Sequence, residues 1–105
     1  MAVSTIKNNI DVYNGTNCTI YKTGHVCTMK INNSSETFET ISDSKFIPSY
    51  TVKIPARIYK VNADYINCDV YIDTSGVCTI KDEYNGSLSD VEYAFLSPRT
   101  FVYEV

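Results

Sequence analysis

Four cysteines, one histidine and a run of carboxylates are the side chains here with the most chemistry to offer. Cys18, Cys27, Cys68 and Cys78 are nine, forty-one and ten residues apart. A structural zinc site draws on close Cys or His pairs, two to five residues apart. No pair fits, and the one histidine, His25, adjoins the turn glycine Gly24. No metal and no other cofactor is expected. A disulfide needs two facing cysteines with Cβ atoms about 4 Å apart. In the hairpin registers given below, Cys18 and Cys27 share a face without standing opposite, and so do Cys68 and Cys78. Four buried free thiols acting as small hydrophobes are therefore expected, which fits synthesis in a reducing cytoplasm.

Catalysis has little to stand on. A histidine is the side chain best placed to act as a base near neutral pH, and His25 has only turn residues beside it. No Gly-x-Ser-x-Gly elbow, phosphate loop or His-Glu pairing occurs. Asp82, Glu83, Asp90 and Glu92 flank Asn85-Gly86. Such carboxylates could accept bonds from sugar hydroxyls or hold calcium, but their spacing matches no calcium loop; a solvated acidic loop accounts for them better. The expectation is a protein that binds rather than catalyses.

Alternating strands must position these groups. In residues 67–81, Cys68, Val70 and Ile72 alternate with Asp69, Tyr71 and Asp73, and then Cys78 and Ile80 with Val77, Thr79 and Lys81. A period of two is the strand period. Asp73-Thr74-Ser75-Gly76 suits a type I turn closed by a left-handed glycine, which predicts Ile72 facing Cys78 and Val70 facing Ile80. Residues 17–30 repeat the pattern: Cys18, Ile20, Cys27 and Met29 on one face, Thr19, Tyr21, Val26 and Thr28 on the other. A Thr23-Gly24 turn predicts Ile20 facing Cys27 and Cys18 facing Met29. Two hairpins that reached one packing solution explain the likeness better than a duplication.

The rest of the chain is also strand-like. Residues 1–9 read as a polar lead-in. Further strands are expected at 10–13, 36–41 (with Phe38 and Thr40 on one face), 45–47, 57–61, 91–96 (with Val91, Tyr93 and Phe95 on one face) and 100–105. Residues 47–55 contain Pro48 and Pro55, which do not both fit a central strand. They read as an extended crossover with Ile47, Val52 and Ile54 inward. No segment carries apolar residues at helical spacing. The fold expected is all-β, an antiparallel sandwich or jelly roll of about 8–10 short strands with almost no helix, one domain over residues 1–105. The last strand has one charge, Glu104, and is expected to be paired centrally or covered by a partner chain.

Bulk properties narrow the partners. Net charge is −3, and the nine Lys and Arg are scattered, so no phosphate-tracking nucleic-acid surface is expected. No apolar run approaches the ~20 residues of a membrane helix, and the first residues lack the apolar stretch of a signal peptide.

The order of features resembles a known family. A hairpin around Tyr21-Lys22-Thr23-Gly24-His25-Val26 leads to Ile47-Pro48-Ser49-Tyr50 and on to Pro55. Val70-Tyr71-Ile72-Asp73-Thr74-Ser75-Gly76-Val77 follows, then a Tyr-rich closing strand. This resembles the C-terminal head domains of tail-fibre and baseplate receptor-binding proteins of phages of Gram-positive hosts. The resemblance implies a homotrimer in the virion, made in the host cytoplasm, that binds a host cell-wall saccharide; it carries no ligand position over to this chain. Tyrosine, nine residues here against no tryptophan, suits both sugar stacking and subunit contacts. On that basis Tyr50, Tyr93, Asp90 and Glu92 are candidate ligand-binding residues. Tyr21, Tyr71, Phe101 and Tyr103 are candidate subunit contacts. A virion domain that assembles without ligand, or an unrelated small β-sandwich binding module, are the alternatives.

Overall fold

The computed structural model describes residues 10–32, 37–60, 65–82 and 93–105, with backbone alone at residues 60 and 93–95. Expectations that fall on residues 1–9, 33–36, 61–64 and 83–92 lie outside the described residues. These include Asp90, Glu92 and the Asn85-Gly86 loop.

Among the described residues, nine strands form two antiparallel sheets. In chain order they are β1 (Asp11–Asn14), β2 (Cys18–Thr23), β3 (Val26–Ile31), β4 (Thr37–Thr40), β5 (Val52–Lys60), β6 (Tyr65–Ile72), β7 (Val77–Asp82), β8 (Tyr93–Ser97) and β9 (Thr100–Glu104). One sheet has the order β1-β2-β3-β9, the other β4-β7-β6-β5-β8. The all-β sandwich expected from the alternation is what forms, with no α-helix among the described residues.

The two similar hairpins are split between the sheets and supply the two walls of the core. From β2 and β3 come Cys18, Ile20, Cys27, Met29 and Ile31; from β6 and β7 come Cys68, Val70, Ile72, Cys78 and Ile80. All ten are buried. The β6–β7 register is as the turn predicts: Ile72 faces Cys78 and Val70 faces Ile80. Asp73 holds this turn. Its Oδ1 accepts from the N–H of Ser75 at 2.9 Å and of Val77 at 2.9 Å, and Gly76 has φ +86°.

The β2–β3 register differs from expectation. Thr23 faces Val26, so the two-residue loop is Gly24-His25, and Ile20 faces Met29 while Cys18 faces Ile31. Primed hairpin turns require positive φ at the first loop position, and Gly24 provides it at φ +61°. The correction moves the pairing by two residues. An even shift keeps every side chain on its face, so the inward set is unchanged.

Three further expectations are corrected. Residues 44–46 are a short 3-10 helix, not a strand. Asp43 caps it by accepting from the Lys45 N–H at 3.0 Å, and Phe46 drops into the core. Thr40 is exposed while Phe38 is buried; register shifts between Thr37 and Glu39 against β7, so Phe38 is the added residue of a bulge. Pro55 lies inside β5, which pairs with β6 over its described length from Val52 to Tyr59. Its other neighbour, β8, pairs only from Arg57 to Lys60. Among the described residues Pro55 therefore lies where β5 has β6 on one side only, an edge position that a proline can occupy. Val52 and Ile54 pack against the core as expected.

Leu96 is the residue of β8 seen in the core. Among the described residues β9 pairs with β3 alone and is an edge strand, not a central one. Its inward residues, Phe101 and Tyr103, are 7% and 4% exposed. Both belong to this chain's own core, which corrects the expectation that their side chains make subunit contacts.

Candidate functional site

The two outer faces of the sandwich carry different chemistry. On the five-stranded sheet, outward residues are those out of phase with the core set. β5 contributes Lys53, Pro55, Arg57 and Tyr59, β6 contributes Tyr65, Asn67, Asp69 and Tyr71, and β7 contributes Thr79 and Lys81. Register sets them in rows: Tyr59 beside Tyr65, Arg57 beside Asn67, Pro55 beside Asp69 beside Lys81, and Lys53 beside Tyr71 beside Thr79.

Diagonal neighbours on one face of a sheet are within reach of long side chains, and Arg57, Lys81 and Lys53 all use that reach. The Arg57 guanidinium stacks over the Tyr65 ring at 4.3 Å. Lys81 Nζ lies 5.2 Å from the Tyr71 ring centre. Lys53 Nζ is 3.8 Å from Asp69 Oδ2. Tyr59 tilts against Tyr65 with ring centres 5.7 Å apart. The result is three cations and one carboxylate among tyrosines, a locally basic face on a chain of net charge −3.

Beside Arg57 the face opens into a cleft of about 370 Å³ lined by Pro55, Ala56, Arg57, Asn67, Ser97 and Pro98. Arg57 is held from below by Tyr65, itself 42% exposed. A guanidinium fixed on an aromatic ring keeps its N–H edges available for planar acceptors such as carboxylate or phosphate. Tyrosine rings beside it offer apolar faces to sugar C–H groups and hydroxyls for hydrogen bonds. This is a shallow, polar, aromatic platform suited to an extended ligand rather than to a sequestered reaction.

A second cleft of about 380 Å³ runs along the rim where the sheets meet, lined by Thr16, Asn17, Thr37, Phe38, Glu39 and Thr40. Its carboxylate is already engaged. Glu39 Oε2 accepts from the Tyr13 hydroxyl at 3.0 Å and Oε1 from the Asn17 N–H at 3.0 Å, while Asn17 Nδ2 donates to the Phe38 carbonyl at 2.6 Å. Glu39 thus clasps β4 to the β1–β2 segment of the other sheet.

The four thiols are free and buried, as expected. Burial is the main reason their pKa values rise, pushing Cys18 and Cys68 up to about 12. Glu39 adds to the rise at Cys18. Cys78 is raised as well, first by burial and then by Cys18 across the sheet gap. Protonated, water-excluded thiols are poor nucleophiles and poor metal ligands. Among the described residues, no group of three or more His, Cys, Asp or Glu is arranged to hold a metal.

The candidate residues from the sequence scatter. Tyr50 is 64% exposed in the segment before β5. Tyr93 opens β8 in register with Lys60. Asp90 and Glu92 are outside the described residues. Tyr21 and Tyr71 both lie opposite the cysteines, yet on different sheets, so they do not share one patch. Arg57, Tyr59, Tyr65 and Asn67 were not singled out by sequence. The signal for them was there: Arg57 and Tyr59, and Tyr65 and Asn67, alternate out of phase with the core residues Ile58 and Cys68. Pairing β5 with β6 would have joined them. No family model, no curated protein and no solved structure matches the chain.

Proposed function

We propose that the chain is a saccharide-binding domain rather than an enzyme, and that its ligands carry carboxylate or phosphate groups. The observation that carries this reading is the Arg57–Tyr65 stack, with Tyr59 against Tyr65 and with Asn67 beside Arg57 in the wall of the cleft. A cation backed by an aromatic ring recognises an anionic substituent, and the neighbouring tyrosine takes the sugar ring. The locally basic face on an acidic chain favours the same ligand class. The sequence resemblance supports placing such a domain at the tip of a phage fibre or baseplate, as one copy in an assembly.

The test is a panel of uronate- and phosphate-bearing oligosaccharides beside neutral ones of equal length. Binding confined to the anionic members, weakened by salt, supports the proposal. Equal binding of neutral members, or none at all, refutes it. A second reading, a fibre or baseplate domain that assembles without ligand, is favoured by the apolar outer face of the other sheet. It would be supported by a protein that self-associates and binds no member of the panel.

A further inference from the structure

The outer face of the four-stranded sheet is of the opposite kind. Register places Val12, Tyr21, Thr28 and Val102 side by side across all four strands. Val12, Tyr21 and Val102 are 47%, 45% and 58% exposed, and Val26, in the next row, is 43% exposed. Most of the large exposed apolar side chains of the described residues are gathered on this one face. A contiguous apolar patch spanning a whole sheet marks a contact surface.

Its charges say what would cover it. On either side of the apolar row lie one cation and one anion. Lys30 stands beside Thr100 in the row on one side, and Glu104 beside Val26 in the row on the other. Their in-sheet neighbours are uncharged, and among the described residues neither makes an ion pair within the chain. A second copy turned end for end, about an axis running across the strands, lays the apolar row on its own image. It also brings β9 over β9, so that Glu104 of each copy approaches Lys30 of the other. A face that is complementary to itself in shape and charge is what a two-fold contact requires.

We infer that this face is a self-association surface, and that two copies meet on it end for end, with Lys30 and Glu104 paired between them. The inference does not depend on the saccharide reading, which concerns the opposite sheet. The patch is small for a permanent interface, so the dimer forms reversibly with concentration.

The experiment is sedimentation equilibrium over a wide concentration range on the wild-type chain, Lys30→Glu, Glu104→Lys and the double exchange, with circular dichroism confirming the fold of each. The wild type should approach twice the chain mass. Each single reversal sets like charges against each other at two places and should weaken association at least tenfold, and the double exchange should restore it. Val102→Lys, placed in the middle of the row, should give a folded monomer. A monomer at every concentration, a trimer, or single reversals that leave association unchanged would each overturn the inference.

Discussion

The Tyr103 hydroxyl donates to the Phe46 carbonyl at 2.7 Å, joining the last strand to the 3-10 helix 57 residues earlier. Both ends of this bond are buried. Phe46 also meets Tyr13, with ring centres 5.6 Å apart, so β9, the 3-10 helix and β1 are tied at one end of the sandwich. Tyr103→Phe keeps the ring and leaves the carbonyl without its donor. It should lower stability by about 1–3 kcal/mol, measured as a shift of the urea midpoint with an unchanged slope. No shift would show that water replaces the hydroxyl.

The two positive-φ glycines should respond differently to one substitution. A Cβ on Gly76 would come within 2.6 Å of the Ile41 carbonyl oxygen and 3.0 Å of Ile47 Cδ1, while one on Gly24 meets nothing within 4 Å. Gly24→Ala carries only the left-handed backbone cost of about 1 kcal/mol. Gly76→Ala adds a clash with backbone and should exceed about 2 kcal/mol. Thermal melts of the two variants give the comparison, and equal losses would contradict it.

Stability should fall in alkali. The buried Cys18 and Cys68 thiols keep their protons up to about 12, while in the unfolded chain they lose them near the ordinary thiol value of about 8.5. Between those values the native state binds more protons than the unfolded one, so each unit of pH costs stability. The contribution is complete below about pH 8 and is lost progressively toward pH 12. Replacing both cysteines with Ala should flatten the pH dependence of the urea midpoint over this window. Alkylation by iodoacetamide at pH 8 should be slow in the folded protein and fast in urea.

How far the sequence reaches is clearest in the hairpins. Asp73-Thr74-Ser75-Gly76 has one compatible loop geometry, so the β6–β7 register follows from it. Thr23-Gly24-His25 admits two loops, and only the demand for positive φ at the first position selects Gly24-His25. The core face survives either choice because the alternatives differ by two residues. Pro55 misled because a proline excludes a strand only where both sides are paired, and which side is open depends on where β8 ends. The Arg57–Tyr65 pairing is hard to read from sequence for a related reason. Arg57 reaches Tyr65 diagonally across a strand pair, and alternation within one strand does not report which strand lies next to it. Phe101 and Tyr103 were misplaced because alternation does not say which of the two faces of a terminal strand is the core.

Arg57 and Tyr65 should act as one unit in binding. Tyr65→Ala removes the ring beneath the guanidinium, and Arg57→Ala removes the cation itself. Each is expected to weaken binding of an anionic oligosaccharide about tenfold or more, and the double variant little further, since coupled neighbours are not additive. Arg57→Lys should recover only part, because an ammonium lacks the planar fork. Calorimetric titration of the four variants measures this, and additive losses would separate the two roles.

The most direct measurement is an amide NMR titration of the labelled protein with an anionic oligosaccharide drawn from the panel. The perturbed amides should cluster on Arg57, Tyr59, Tyr65, Asn67 and Ser97, with the outer face of the four-stranded sheet unmoved. Perturbations centred on Tyr50 or on the Glu39 rim, or a spectrum that no panel member changes, would contradict this expectation.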